Sequence, residues 1–350
     1  MHKPSHTMRT PRDRDFRFPA EWELHRATWL SYPYQEASFP GRLDKVWPVF
    51  AEFVALISKS EKVCVNVPDS KHRDKARDEF RKAGANLSRV SFFLHPTDDV
   101  WCRDHGGIFL KNVASEKIIL DWKFNAWGEK YPHENDRQIA QLVAEVLDIE
   151  CITPGIVLEG GAIEHNGYGT ILTTEACLLN PNRNATLSRE EMERYLRDFL
   201  SVDQILWLGE GIAGDDTDGH VDDLTRFVHP TTIITVLEDK PTDENYAPLR
   251  ENLERLHSFR LPNGRPLKIV TVPMPTPVFD DEGQRLPASY ANFYITNQYV
   301  IVPTFGCRQD AMALQTIQRQ FPDREIVGLD SRDLITGFGS FHCLTQQEPA

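Results

Sequence analysis

The chain has 350 residues, and its 39 Lys and Arg against 52 Asp and Glu give a formal charge of −13 at pH 7. An acidic chain is a poor nucleic-acid binder, because affinity for phosphates needs a clustered cationic surface, whereas its field attracts cationic ligands. Hydrophobic residues make up 40% and aromatic residues 10% of the chain, which is enough apolar material for a buried core and excludes global disorder.

The N-terminal residues and the cysteines indicate a cytoplasmic protein. Residues 1–20 mix charged residues and proline without the apolar run of a secretory signal, and no stretch approaches the ~20 apolar residues of a membrane helix. The six cysteines are far apart and include no CxxC pair, which argues against a disulfide framework or a thiolate zinc site. We predict no nucleic-acid or membrane partner, and the sequence leaves a homo-oligomer open.

Similar units of helix and strand follow one another along the chain. The first has an amphipathic helix between residues 42 and 59, a helix over 69–83 with Asp69 as its N-cap, and a buried strand over 89–95. Four further units repeat a helix and then a strand, at 135–147 and 150–153, 189–200 and 204–208, 246–259 and 267–272, and 309–321 and 325–329. Ser188 and Glu191 form a capping box for the helix that begins at residue 189.

The five predicted strands recur at an even spacing. They begin at residues 89, 150, 204, 267 and 325, so the intervals are 61, 54, 63 and 58 residues. Units that cannot bury their apolar faces alone and recur so evenly favour a closed ring, although a doubly wound sheet also alternates helix and strand. We predict an α/β fold, a five-bladed pseudo-symmetric α/β propeller of ββαβ units, in one domain over residues 1–350.

In such a ring, the polar segment after each strand can reach the central axis. The reactive side chains of these segments are Asp104, Glu159, His220, Asp222, Asn292 and Cys343. Carboxylates gathered in one pocket raise each other's pKa unless a cation joins them. A guanidinium is a planar, permanent cation that two carboxylates can grip while an aromatic ring such as Trp101 covers its face. The sequence therefore predicts a pocket for a small guanidine compound.

Cys343 and His220 are the candidate nucleophile and base of this pocket. A free cysteine is commonly a small buried hydrophobe, but a thiol in a loop between small residues, with a base nearby, is suited to nucleophilic attack. His342 would point away from its neighbour Cys343 on a strand, which favours His220 as the partner. If residues 215–223 also form a strand, His220 and Asp222 share one face.

Two other motifs in this region predict no ligand. Residues 209–214 match GxGxxG, but an acidic segment follows instead of a helix N-terminus, so a dinucleotide phosphate would be repelled. The acidic segment itself fails as a calcium loop, because Gly214 and Thr225 fall where ligating acids are needed. His220 and Asp222 lack further His or Cys partners at metal-ligand spacing. We therefore predict no metal and no cofactor.

Eight segments, in order, resemble the family of agmatine deiminases and bacterial peptidylarginine deiminases, within the guanidine-modifying enzymes. They are Pro19–Glu23, Trp101–Asp104, Phe124–Asn125 with Trp127–Gly128, Leu158–Gly161, Asn182–Asn184, Thr217–Asp222, Tyr290–Phe293 and His342–Gln347. The resemblance spans nearly the whole chain. It implies a pentein-like, five-bladed α/β ring and hydrolysis of agmatine to N-carbamoylputrescine and ammonia, without a metal or cofactor.

The resemblance also implies roles for the pocket residues. Cys343 would attack the guanidinium carbon, and His220 would serve as general acid and base. Asp104 and Asp222 would hold the guanidinium nitrogens, while Glu159 would orient His220. The predicted substrate-binding set is Trp101, Asp104, Asp222, Asp218 and Asn292.

Two departures from the family pattern, both expected beside the substrate, leave the substrate open. Gly107 stands where proline is usual, and Asp218 replaces the usual asparagine, so Asp218 is a candidate for binding the distal amine of agmatine. Free arginine would need a cation for its carboxylate, for which Arg103 and Arg183 are the candidates. Peptidyl-arginine, amidinotransfer to an amine, and non-catalytic binding of a cationic amine are the alternatives.

Overall fold

The strands form five small sheets in the computed structural model, which describes residues 9–350. The strands are β1 (His25–Ser31), β2 (Lys62–Val67), β3 (Val90–Leu94), β4 (Ile108–Lys111), β5 (Lys117–Leu120), β6 (Glu150–Ile152), β7 (Glu164–His165), β8 (Thr170–Thr174), β9 (Gln204–Leu208), β10 (Thr225–His229), β11 (Thr232–Leu237), β12 (Lys268–Pro273), β13 (Tyr294–Ile295), β14 (Tyr299–Thr304), β15 (Glu325–Asp330) and β16 (Thr345–Pro349). The α-helices are α1 (Leu43–Ile57), α2 (Ser70–Lys82), α3 (Cys102–His105), α4 (Ala126–Glu129), α5 (Ile139–Leu147), α6 (Glu175–Leu178), α7 (Pro181–Asn184), α8 (Arg189–Leu200), α9 (Tyr246–Ser258) and α10 (Gln309–Gln318).

The local signals identified in the sequence form the expected elements. Asp69 accepts a hydrogen bond from the His72 amide and so caps α2. The capping box of Ser188 and Glu191 is present at the start of α8, because each side chain satisfies an amide that the first helical turn leaves free. Within residues 9–350, no helix combines the length and apolar character that crossing a membrane requires.

Four of the sheets follow one plan. In β4–β5–β6, the first two strands are an antiparallel hairpin and the third pairs parallel with the second. The sheets β7–β8–β9, β10–β11–β12 and β13–β14–β15 repeat this pairing. A parallel pair needs a crossover connection, and α5, α8, α9 and α10 supply it. The predicted ββαβ unit is therefore confirmed.

The fifth sheet joins the two ends of the chain. Its strand order is β16–β1–β2–β3, with β16 antiparallel to β1 and β1 parallel to β2. Leu30 lies opposite Thr345 in this pairing, so the β1–β16 pair joins residues from near the two ends of the chain. The pairing closes the ring and brings the segment before β16 beside the N-terminal segment.

Five hydrophobic clusters join the sheets into a ring. Each cluster draws buried residues from two neighbouring sheets. The shared pairs are Trp29 with Phe109, Ile118 with Ile171, Leu206 with Phe227, Val236 with Val300, and Ile301 with Leu30. Burial of apolar surface between neighbouring sheets is favourable, so each blade is stabilised by both of its neighbours. The predicted five-bladed α/β propeller is confirmed.

Two local predictions are wrong. The strand predicted over 89–95 is β3, an edge strand with Leu94 56% exposed rather than a buried one. In this blade, β2 occupies the position that β6, β9, β12 and β15 occupy in the other blades. The helix α2 and the strand β3 are additional elements, and counting β3 as the strand of this unit made the predicted strand spacing even. Residues 215–223 form a loop that ends in a 3-10 helix, Val221–Asp223. The loop bends because the Asp215 carboxylate accepts bonds from the amides of Thr217 and His220.

Candidate active site

The predicted pocket residues all lie just before the first strand of a blade. Asp104 precedes β4, Glu159 precedes β7, His220 and Asp222 precede β10, Asn292 precedes β13, and Cys343 precedes β16. First strands of neighbouring blades contact one another, as β16 contacts β4 and β7 contacts β10. The pseudo-symmetry therefore brings side chains from five distant segments to one place.

A cavity of about 600 Å³ opens beside these residues, and its wall includes Trp101, Asp104 and Cys343. The carboxylates that line it are Asp98, Asp99, Asp104, Asp216, Asp280, Asp281 and Glu282. Among residues 9–350, Arg42 is the one basic side chain in the wall, and it already bonds to Asp281 at 2.8 Å and Asp333 at 3.0 Å. The field in the cavity therefore favours a cationic ligand.

Asp104 is held by two donors. Its Oδ1 accepts a bond from the Gly161 amide at 2.9 Å, and its Oδ2 accepts one from Trp127 Nε1 at 3.0 Å. Burial raises the pKa of Asp104 to about 6; His220 opposes this rise and two nearby carboxylates add to it. The carboxylate is therefore fixed in direction, but its negative charge is only partly compensated.

Trp127 was not among the predicted site residues, although it orients Asp104. Its backbone φ is 56° and that of Gly128 is 101°, and a bulky residue in this left-handed region is strained. The Asn125 side chain holds the turn by accepting a bond from the Gly128 amide at 3.1 Å. The sequence signal for this residue was the Trp127–Gly128 match to the family.

His220 is buried among carboxylates. Its Nδ1 lies 3.7 Å from Asp104 Oδ1, and its Nε2 lies 4.0 Å from Glu159 Oε2. Neither ring nitrogen has a hydrogen-bond partner among residues 9–350. Burial alone would lower the pKa of His220, but the attraction of Asp104 and other neighbours outweighs it and raises this pKa well above the usual value. A protonated ring is therefore favoured between these acidic groups.

Gly161 allows these groups to approach one another. A Cβ at this position would lie 2.5 Å from His220 Nδ1, 2.7 Å from Asp104 Oδ1 and 3.2 Å from Asp222 Oδ2. Contacts this short exclude any side chain, so the second glycine of the Leu158–Gly161 segment is required by close packing. The same three distances show that the imidazole and both candidate guanidinium-binding acids surround one point.

Glu159 and Cys177 lie behind His220. Ligand atoms of these three residues lie within 4.8 Å of one another, a grouping that could hold a metal ion. However, Glu159 Oε1 already accepts a bond from Arg183 Nε at 2.6 Å, and this buried guanidinium opposes a second cation. Glu159, Cys177 and His220 therefore fit a metal site poorly. Their arrangement is better suited to a role of Glu159 in orienting the His220 imidazole.

Cys343 is anchored by Asn292. Its Sγ lies 3.0 Å from Asn292 Nδ2 and 3.6 Å from Asp222 Oδ2. Asn292 Oδ1 also accepts bonds from the backbone amides of His342 and Cys343. Burial, with help from nearby carboxylates, raises the pKa of the Cys343 thiol well above its usual value. The free protein therefore holds a thiol, and a bound cation would favour the thiolate.

One carboxylate oxygen of Asp222 has no hydrogen-bond partner among residues 9–350. Its Oδ2 accepts a bond from His342 Nδ1 at 2.7 Å, while its Oδ1 is buried and has no partner among the described residues. Burial raises the pKa of Asp222, but the bond and charge of His342 outweigh it, and the pKa is lowered. An ionised, partly unsatisfied carboxylate therefore lies beside the sulfur.

Two predicted site residues occupy different surroundings from those expected. Asn292 is buried against the Cys343 sulfur and does not line the cavity. Glu159, His220 and Asp222 are also buried and do not line it. Asp218 bonds to Asn182, Arg183 and Lys130 at 2.7 to 3.2 Å and does not line the cavity either. Its φ of 67° lies in the left-handed region, which short Asp and Asn side chains tolerate. This explains how aspartate can replace asparagine there.

Of the other residues that were expected beside the substrate, one lines the cavity and the others do not. Trp101 lines the cavity and packs so closely on Gly339 that a Cβ there would lie 2.5 Å from its ring. Gly107 packs against Ile119 and Ala140 inside a blade, so it is not beside the cavity as expected. Arg103 donates to Gln347 and Thr345, which leaves it, like Arg183, engaged away from the cavity.

Comparisons with known proteins agree with this geometry. An agmatine deiminase of Ectopseudomonas mendocina is 36% identical, over 97% of each chain. A solved agmatine deiminase of Enterococcus faecalis superposes with a TM-score of 0.91 at 32% identity, over 98% of each chain. A structure described as a putative arginine deiminase from Porphyromonas gingivalis gives 0.86 at 39% identity, over 95% of this chain and 98% of the other.

The model of the Porphyromonas-type peptidyl-arginine deiminase family matches residues 17–349. This match covers all eight segments on which the resemblance was based, and that resemblance is confirmed. The family assignment and the acidic cavity agree, since the cavity favours a cationic ligand such as a guanidinium. The chain therefore belongs to the Porphyromonas-type peptidyl-arginine deiminase family, a family of hydrolytic guanidine-modifying enzymes.

Proposed function

We propose that this protein hydrolyses agmatine to N-carbamoylputrescine and ammonia. The observation that carries the proposal is an acidic cavity whose wall holds the Cys343 sulfur and the partly uncompensated Asp104 carboxylate. Relatives that cover nearly the whole chain are named agmatine deiminases, and an agmatine deiminase of C. jejuni with substrate bound superposes with a TM-score of 0.87. The substrate would enter as a dication.

The guanidinium would lie between Asp104 and Asp222, with Trp101 over its face. Each carboxylate would accept bonds from guanidinium nitrogens in the planar geometry that this cation prefers. Asp222 Oδ1 has no other partner among residues 9–350, so the substrate would satisfy it. This arrangement would leave the guanidinium carbon facing the Cys343 sulfur, and orientation of this kind can contribute ~7 to 11 kcal/mol to lowering a barrier.

The reaction would proceed in two halves. As the guanidinium binds, its charge would favour loss of the Cys343 thiol proton to solvent, and the thiolate adds to the guanidinium carbon. The C–N bond then breaks, and His220 gives its proton to the departing ammonia, which leaves a thiouronium intermediate. His220 then takes a proton from water and the hydroxide adds to the same carbon. The C–S bond breaks to return the thiolate, and the added hydroxyl loses its proton to solvent as the ureido product is released.

The cavity supports agmatine over free arginine. The carboxylate of arginine would need an unpaired cation, and Arg42, the one basic residue that the described part of the chain contributes to the wall, is already paired with Asp281 and Asp333. The distal amine of agmatine would instead face an excess of wall carboxylates. Asp218 is a weaker candidate for this amine, because it is already neutralised by Arg183 and Lys130.

Incubation with agmatine, arginine and an arginyl peptide, followed by a colour assay for ureido groups, tests the proposal. We expect product from agmatine in large excess over the other two compounds. Acceptor amines added to the same reaction would reveal amidinotransfer as a new amidine product. A wild-type protein that forms no product from any of the three compounds would contradict the proposal.

We further propose that residues 1–350 form one catalytic domain in the cytoplasm, without a nucleic-acid partner. The pairing of β1 with β16 supports a single domain, because the ring is incomplete without either end. The six cysteines are free thiols, which suits a reducing compartment. The net charge of −13 disfavours binding to phosphates, and a homo-oligomer is compatible with all of these features.

A further inference from the structure

A buried chain of contacts extends from Asp222 away from the cavity. His342 Nδ1 lies 2.7 Å from Asp222 Oδ2, and His342 Nε2 lies 2.8 Å from Glu21 Oε2. The three side chains are 0 to 5% exposed. The sequence predicted a role for Asp222 alone and had His342 pointing away from the reactive group beside it. The structure instead links Asp222, through one imidazole, to a segment near the N-terminus.

The imidazole in this chain bridges two carboxylates. Each of its nitrogens lies within hydrogen-bond distance of a carboxylate oxygen, one from Asp222 and one from Glu21. Glu21 is in turn held by Arg226 Nη2 at 2.8 Å and by the Ile295 amide at 2.9 Å. The ring is therefore fixed at both ends and cannot rotate without breaking a charge-assisted bond.

The bond to His342 determines which oxygen Asp222 offers to a ligand. Oδ2 is committed to the imidazole and lies 3.6 Å from the Cys343 sulfur. Oδ1 remains without a partner among the described residues. If the bond were lost, the carboxylate could turn about its terminal torsion, which is broad and roughly two-fold. Its orientation toward the guanidinium would then no longer be fixed.

We propose that His342, supported by Glu21, is a positioning residue for deimination, which fixes the Asp222 carboxylate so that its free oxygen faces the guanidinium beside Cys343. The inference rests on the proposed function and adds the N-terminal Pro19–Glu23 segment to the machinery of the site. Neither residue touches the substrate. Both act through Asp222, so their effect is on the geometry of attack.

Two substitutions of one residue test this role. His342→Asn places an amide nitrogen near the original Nδ1 and can still donate to Asp222, whereas His342→Gln places it near Nε2 and can reach only Glu21. We expect kcat/KM for agmatine to fall about 100-fold in His342→Gln and about 10-fold or less in His342→Asn, since misplacement by 1 Å can cost about 100-fold. Most of the loss should lie in kcat.

His165→Asn is the matched control. His165 is a buried imidazole close to the same charged groups, but it makes no hydrogen bond to Asp222 and stacks on Phe18 instead. We expect it to change the melting temperature without changing kcat. Glu21→Gln, which keeps the shape of the side chain, should lower kcat/KM about 10-fold and covers the case in which the His342 variants fail to fold.

The outcomes separate the two proposals. A wild-type protein that forms no ureido product from agmatine overturns the proposed function. If the wild type turns over agmatine but the Asn and Gln variants at position 342 lose activity equally, or lose none, the positioning role is overturned. A wild-type rate in Glu21→Gln removes Glu21 from the proposal.

Discussion

Two groups of buried charges lie near Asp222, and they differ in how completely the protein satisfies them. In the group that we call the paired network, Arg226 bonds to Glu164 and Glu21 at 2.8 Å each and donates to two backbone carbonyls. In the group that we call the open site, both nitrogens of His220 and one oxygen of Asp222 have no partner among residues 9–350. The first group stabilises the ring, and the second leaves bonds for a substrate.

The difference has an energetic reason. A buried polar group without a hydrogen bond costs about 1 to 3 kcal/mol, so the open site lowers stability in the free protein. The paired network cannot be disturbed without creating a similar cost, because removal of one partner leaves a buried charge uncompensated. We therefore expect substitutions in the open site to change mainly activity and substitutions in the paired network to change mainly stability. Glu21 contacts both Arg226 and His342, so its substitution should affect both properties.

The largest expected effect is on activity. Cys343→Ser should lower the deimination rate by at least about 10⁴-fold, because the hydroxyl is a far weaker nucleophile than a thiolate. Its stability and its affinity for agmatine should stay close to those of the wild type. Turnover assays and calorimetric titration with agmatine measure the two properties. A variant that retains turnover would show that the sulfur is not the nucleophile.

The next effect is on stability. Arg226→Met should lower the free energy of unfolding by about 3 to 5 kcal/mol, because it leaves Glu21 and Glu164 buried without their cation. Arg197→Met is the control, since the Arg197 side chain is 40% exposed in its pair with Glu193 on the same helix, and its loss should cost less than about 1 kcal/mol. Urea denaturation measures both. Equal losses would contradict the distinction between buried and exposed pairs.

Asp104→Asn should separate activity from stability. We expect kcat/KM for agmatine to fall about 100-fold, because a charge-assisted bond to the guanidinium is lost. The free energy of unfolding at pH 7 should stay within about 1 kcal/mol of the wild type, because relief of a buried charge offsets the loss of one acceptor. A loss of stability as large as in Arg226→Met would place Asp104 in the paired network.

Activity and stability should also differ in how they depend on pH. Burial raises the pKa of Asp104 from 3.8 to about 6, and the ionised form binds the guanidinium, so kcat/KM should fall about fivefold between pH 6 and pH 5. The free energy of unfolding should change in the opposite direction and increase as the pH falls. A pKa that is higher in the folded state means that protonation of Asp104 between pH 6 and pH 4 favours folding. Activity profiles and urea midpoints over this range, with Asp104→Asn as the comparison, test both signs.

The smallest effect should come from Asp218→Asn. Because Arg183 and Lys130 already neutralise Asp218, we expect less than about a threefold change in KM for agmatine. Steady-state kinetics of the variant measure this change. A much larger rise in KM, with kcat unchanged, would restore Asp218 as the residue that binds the distal amine.

Much of the architecture was predictable because it depends on local patterns. The 3.6-residue periodicity and the caps at Asp69 and Ser188 predicted helices that the structure contains, and the recurrence of units predicted five blades. The misplaced first unit shows the limit of this reasoning. Periodicity recognises a strand, but it does not tell whether that strand is β2 inside a sheet or β3 at its edge, since only pairing with other strands decides this.

The sequence by itself determined the chemical inventory of this protein: a sulfur, an imidazole and several acids in segments that recur around a ring. Only the tertiary structure decided which charges are satisfied. Asp218 and Asp222 are four residues apart, yet Arg183 and Lys130 neutralise the first while the second keeps a free oxygen. The physical reason is that a buried charge is compensated by neighbours from distant segments, as Glu21 is brought to His342. The local sequence around a residue does not specify which distant residues will contact it.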